Sequence, residues 1–227
     1  MKVLLSVCLI AGNFALVTAP HARAQAGTSA QMQTLQRGVS VEMAPAKNAQ
    51  PMPLADDADA WVLTLNDRGE LYFGARAVSL EALRREMTET PRKRSQNLYL
   101  KVDERARYTN VANVLNVARD MGFVSPVLLT SQPDTPAAGA MVAPAGLAVS
   151  LEQPGANALV AEISGSARLK VDGQETSWSA LPGALNHSGA KQVVLKATGD
   201  TAFEQVARTI DACRAVGATV VISLPTL

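Results

Sequence analysis

A chain of 227 residues with 48% hydrophobic and 18% charged residues is long enough for one large or two small domains, and its composition excludes a disordered polymer. A formal net charge of +1 supplies no global field for nucleic acid or an anionic membrane surface. Cys8 and Cys213, with the distant His21 and His187, have no spacing that would hold zinc, and no phosphate loop or other cofactor motif is present.

The first element is Val3–Ala19, an apolar run behind Met1-Lys2 that is interrupted by Gly12 and Asn13 and followed by Ala22-Arg23-Ala24. A positive start, an apolar middle and small residues before Gln25 predict a cleaved secretory signal over 1–26. The run also lies at the lower edge of what crosses roughly 30 Å of hydrocarbon, so a retained N-terminal anchor is the alternative. Residues 27–60 read as an extended segment holding a strand over 38–43, because Val39, Val41 and Met43 alternate. Such a strand either closes the edge of its own domain or is free to add to another chain's sheet edge.

Over 61–131, Val62–Leu65 and Leu71–Phe73 are apolar runs joined by Asn66-Asp67-Arg68-Gly69, residue types that accept turn dihedrals, and they predict a hairpin. Ser79 opens a helix with Leu80, Leu83 and Met87 on one face, ending near Pro91. Leu98–Val102 reads as a strand. Tyr108–Met121 reads as a helix with Val111, Val114, Leu115 and Ala118 at helical spacing, and Gly122 suits the position beyond its end. Val127–Thr130 is the last strand, and the strand–helix–strand order predicts a right-handed crossover between parallel strands. Residues 132–157 form a Pro/Ala-rich linker carrying a strand over 146–151, since Gly38-Val-Ser-Val-Glu-Met43 returns as Gly146-Leu-Ala-Val-Ser-Leu151.

Residues 158–227 repeat the pattern of 61–131. Segment 98–123 aligns with 193–218 without a gap, so that Leu100, Lys101, Val111 and Gly122 recur as Leu195, Lys196, Val206 and Gly217, and Tyr108 becomes Phe203. Upstream, Leu71, Ser79 and Leu83 return as Leu169, Ser177 and Leu181. Thr201 and Glu204 have the spacing of a capping box at the equivalent helix start. The expected fold is α+β: two tandem ββαβαβ units, each a small mixed sheet with two helices on one face.

The alternating segment after the N-terminal run, the Asp67-x-Gly69 hairpin, the strand ending at Asp103 and the helix with Ala118-Arg119-x-x-Gly122 at its end occur in one order. In that order they resemble the ExbD/TolR family of biopolymer transport proteins, over about 34–131 and more weakly over about 146–224. The resemblance implies a periplasmic α+β domain that dimerises and works with ExbB/TolQ-like and TonB-like proteins in proton-driven motors. It places residues after 27 in the periplasm, either with the signal removed or as an inner-membrane protein with a single N-terminal span. The family's membrane helix carries a proton-binding aspartate, whereas Val3–Ala19 contains no Asp, Glu, Lys, Arg or His. An ionisable group in the bilayer is functional by default, so its lack argues against a proton relay here.

Two functions are therefore expected to compete. One is a non-enzymatic component of a TonB/Tol-type transport system, acting by periplasmic protein–protein binding or peptidoglycan binding without the intramembrane aspartate. The other is a free periplasmic binding module of two packed repeats, and in either case the repeats pair within one chain or between chains as a dimer. Val39, Val41, Met43 and Asp103 are the candidate partner-binding residues; Asp103 also reads as a turn cap after its strand, and Thr198 replaces it in the second copy. No nucleophile–base pair supports catalysis, because His187-Ser188 reads as part of a Gly/Asn loop and Cys213 falls at core spacing with Val206 and Ile210. Arg84, Arg85, Arg92, Lys93 and Arg94 form a charge cluster that reads either as a solvated helix end or as a contact for anionic wall polymer or lipid headgroups.

Overall fold

Residues 39–90, 97–131 and 143–224 are described by the structure, a computed structural model. Strand alternation sets the faces of the first sheet. Along β2 (Trp61–Leu65) and β5 (Leu98–Val102), Trp61, Leu63, Leu65, Leu98, Leu100 and Val102 join the main core, while Val62 and Tyr99 face a second cluster. α1 (Leu80–Glu89) and α2 (Tyr108–Asp120) supply Leu83, Met87, Val111 and Leu115 to that main core, so both helices cover one face. Ser79 caps α1 as its sequence position predicts, its Oγ accepting from the Ala82 N–H at 3.1 Å. α2 ends at Gly122, whose φ of +90° is open to glycine without strain.

The first sheet also contains β3 (Leu71–Phe73), β4 (Arg76–Val78) and β6 (Val127–Thr130), with β5 parallel to both β2 and β6. The second sheet holds β8 (Leu159–Ser164), β9 (Arg168–Val171), β10 (Gln174–Thr176), β11 (Gln192–Ala197) and β12 (Thr219–Ile222), accompanied by α3 (Leu181–Ser188) and α4 (Phe203–Arg214). Its order, β10-β9-β8-β11-β12, reproduces the run β4-β3-β2-β5-β6 with the same parallel and antiparallel pairings. The fold is α+β, but each unit is βββαβαβ and not ββαβαβ. The additional strand follows a tight reversal at Gly74 in one unit and at Asp172-Gly173 in the other, and has only three residues.

The segments ahead of each unit differ from the two strands expected there. Over the described part of 38–43 there is an isolated antiparallel bridge, Met43 to Asp103, and Pro45 bridges Ser131 two residues on. The second segment forms β7 (Ala145–Ala148), which joins the first unit's sheet antiparallel to β6 and not the sheet of the unit it precedes. β1 (Gln50–Pro51) closes that sheet against β7, giving seven strands in the order β1-β7-β6-β5-β2-β3-β4. Gly146 permits this approach: a Cβ there would sit 2.4 Å from Val127 Cγ1 and 3.2 Å from the Leu128 carbonyl oxygen. Beyond β7 the chain crosses to the second sheet, where Ser150 bridges Val221 of β12.

The capping box expected at Thr201 and Glu204 does not form. α4 begins after Ala202 without a side-chain cap, and the Thr201 hydroxyl lies 3.1 Å from that of Thr198. The orphan donors at the helix start are satisfied by the first unit: Phe203 N–H reaches the Ala106 carbonyl at 2.9 Å and Glu204 N–H the Glu104 carbonyl at 2.8 Å. The contact is returned in kind. Tyr108 N–H donates to the Thr201 carbonyl at 2.8 Å and Thr109 N–H to the Gly199 carbonyl at 3.0 Å, each pair sitting at the aligned positions of the two units. Arg107 and Ala202 form the antiparallel bridge at the centre. Each unit thus caps the other's helix, and Tyr108 and Phe203 are buried beside the seam in one core that both units share.

Candidate functional site

Asp103 follows β5 and is only 3% exposed. Its carboxylate is turned into its own chain: Oδ1 accepts from the Arg105 N–H at 3.1 Å and from Arg105 Nε at 3.0 Å, while Oδ2 accepts from Arg105 Nη2 at 3.1 Å and from the Glu42 N–H at 3.2 Å. The Arg105 guanidinium, with the two backbone donors, holds this carboxyl below its ordinary range. The Glu104 N–H donates to the Glu42 carbonyl at 2.7 Å, so the bridge at Met43 is reinforced on both sides. Asp103 is therefore a clasp that closes a turn and pins the incoming segment.

The four residues picked from the sequence divide as follows. Met43 and Asp103 are brought together, and Met43 also packs against the outer cluster of Val62, Tyr99, Val127 and Leu129. Val39 lies close by through its backbone, its carbonyl accepting from Lys101 Nζ at 3.1 Å. Val41 is half-buried on the same segment. The residues missed by pattern are those of the reciprocal seam, Ala106, Tyr108, Thr201 and Phe203. Their signal was the alignment itself, which sets Tyr108 opposite Phe203 at the start of matching helices.

Residues with reactive side chains are occupied structurally. His187 and Ser188 form the last turn of α3 and not the loop expected there. His187 Nδ1 lies 2.7 Å from the Gly183 carbonyl one turn earlier, and Ser188 Oγ donates to the Leu185 carbonyl at 2.8 Å, so the two make no pair. Cys213 is buried in the core, and burial pushes its thiol up to about 12. No group of three or more metal-ligating side chains gathers among the described residues. Within the basic cluster, Arg84 pairs with Asp120 at 2.6 Å and so braces α1 against the end of α2; Arg92, Lys93 and Arg94 lie outside the described residues.

Residues 28–133 match the family model Biopolymer transport protein ExbD/TolR. Over this stretch the chain is similar to the ExbD/TolR family. The match spans the segment that Asp103 pins and all of the first unit's core strands and helices, and it stops before β7. No curated protein matches the chain. No helix among the described residues is long and apolar enough to cross a membrane, and the expected signal or anchor over 1–26 lies outside those residues.

Proposed function

We propose that the protein is a non-enzymatic, ExbD/TolR-like envelope component of a TonB/Tol-type biopolymer transport system, working by binding in the periplasm and not by carrying protons. The observation that carries this reading is the reciprocal capping of α2 and α4. One chain provides internally the paired arrangement that the family resemblance implies two copies make. We infer that the second unit arose by tandem duplication, which the shared strand order and the residue-by-residue matches support. The expected partners are ExbB/TolQ-like and TonB-like proteins or peptidoglycan. A monomeric mass by light scattering, together with retention of one of these partners in a pull-down of the purified chain, is the expected result. An obligate dimer removes the internal-pairing argument, and failure to retain any of the three partners removes the reading.

A second reading, a free periplasmic binding module of two packed repeats, is favoured by one observation: residues 43–56 close over the outer face of the first sheet and leave a cavity beneath. Ligand-dependent thermal stabilisation with no membrane partner recovered would select it. The mass of the mature protein and its partition between soluble periplasm and membrane test the N-terminal segment. A species beginning near Gln25 is expected, and an intact, membrane-held chain would make it an anchored subunit.

A further inference from the structure

The cavity between the first sheet's outer face and residues 43–56 measures about 240 Å³, room for roughly eight waters at ~30 Å³ each. Val62, Leu129, Met43 and Ala55 give it apolar walls. Its polar floor is a cross-strand pair: Thr64 of β2 lies directly opposite Lys101 of β5, both on the outer face. Lys101 spends one of its three ammonium donors on the Val39 carbonyl, and among the described residues it pairs with no carboxylate. Thr64 is 1% exposed, and beside it in the cavity wall the Thr130 hydroxyl is buried with no hydrogen-bond partner among the described residues. Burial holds the Lys101 ammonium below the ordinary amine range, which is the condition of a cation that gains most from an anion beside it.

The second unit shows what this pair lacks. At the matching position Glu162 stands opposite Lys196, so the chain itself places a carboxylate beside that lysine. The cleft there, about 340 Å³, is lined by Glu162, Arg168, Lys170 and Lys196. In the first unit threonine replaces the glutamate, and a cavity with apolar walls around Lys101 replaces the charged cleft.

We propose that this cavity binds a small monocarboxylate with a short aliphatic body, its carboxylate held by the Lys101 ammonium and the Thr64 hydroxyl and its chain lying against Val62, Leu129 and Met43. Asp56 in the cavity wall selects against a second carboxylate. The ligand is either a free short-chain acid or the C-terminal carboxylate of a peptide. The proposal goes beyond the transport reading and does not depend on it: the full chain is assayed alone, without partner, membrane or wall.

The probes are butyrate, butyramide, succinate, and an alanyl dipeptide with a free or an amidated C-terminus, read by thermal shift and calorimetry. Butyrate or the free-acid dipeptide is expected to raise Tm, the two arms separating the sources, while butyramide, succinate and the amidated dipeptide leave it unchanged. Lys101→Met, which keeps the apolar stem, is expected to abolish binding, and Thr64→Val to weaken it about tenfold, with both variants folded by circular dichroism. The proposal is overturned if neither carboxylate shifts Tm at millimolar concentration, if butyramide matches butyrate, or if binding survives Lys101→Met. Should Lys101→Met fail to fold, Thr64→Val decides: unchanged affinity there overturns it too.

Discussion

The two units share a topology and differ wherever they meet solvent or a neighbouring segment. After its central strand the first unit places Asp103 and Arg105, which fasten residue 42; the second places Thr198 and Asp200 there. Thr198 Oγ1 donates to Asp200 at 2.6 Å and accepts from the Gly165 N–H at 2.9 Å, so this clasp closes only its own unit. The outer sheet faces diverge in the same way. In the first unit residues 43–60 cover an apolar face; in the second, Glu175, Lys170, Glu162 and Lys196 stand in register across four strands as an alternating charge ladder. The buried face was kept apolar in both units because both contribute to one core, while the outer face of each followed what lies on it.

That comparison can be broken most severely at the seam. Phe203→Ala removes a fully buried ring where the units cap each other and is expected to cost about 3–5 kcal/mol. In calorimetry the wild type and the variant should each melt in one transition, and two separate transitions would show that the units are not energetically joined. Asp103→Ala removes a carboxylate with charge-assisted bonds and is expected to cost about 2–3 kcal/mol at neutral pH, against about 1 kcal/mol for Thr198→Ala. Because the native carboxyl of Asp103 lies below its ordinary 3.8, its contribution is full above that value and fades as pH falls through the native one. Denaturant titrations at neutral and acid pH should show the Asp103→Ala deficit shrinking on acidification, and equal deficits for the two variants would erase the distinction between the clasps.

Gly146→Val tests the borrowed strand. Overpacking against Val127 and the Leu128 carbonyl is expected to destabilise by about 1–3 kcal/mol and to loosen the first sheet's edge before the second unit, as amide exchange would report. The smallest effect is the sharpest. Tyr108 Oη is buried without a hydrogen-bond partner among the described residues, while the equivalent residue is already Phe203. Tyr108→Phe should therefore leave stability unchanged or raise it by about 1 kcal/mol, and a loss larger than that would mean that the hydroxyl is satisfied in solution.

Element positions were legible because their signals are local. Alternation fixes the faces of Trp61–Leu65 and Leu98–Val102, helical spacing fixes Val111 to Ala118, and glycine at 122 and 217 ends two helices with positive φ. Two three-residue strands escaped because so short a run carries no periodicity, although Asp172-Gly173 was a readable turn. The destination of residues 145–148 could not be read, since a strand's pattern does not name the edge it will join. At Thr201–Glu204 the spacing of a capping box was present, but carbonyls from the other unit claimed the donors first. Thr64 and Lys101 could be placed on the outer face by alternation; that a distant segment would roof them is a tertiary fact.

The placement of β7 has a consequence for the order in which the molecule is made. The first unit's sheet is incomplete until residue 148 has emerged, even though the match to the family model ends at 133. A chain cut at that boundary would present the open edge of β6, with Leu128 and Leu129 beside it, as a template for foreign strands. During synthesis the first unit's sheet is completed only when the second unit's leading segment is available to pair with β6.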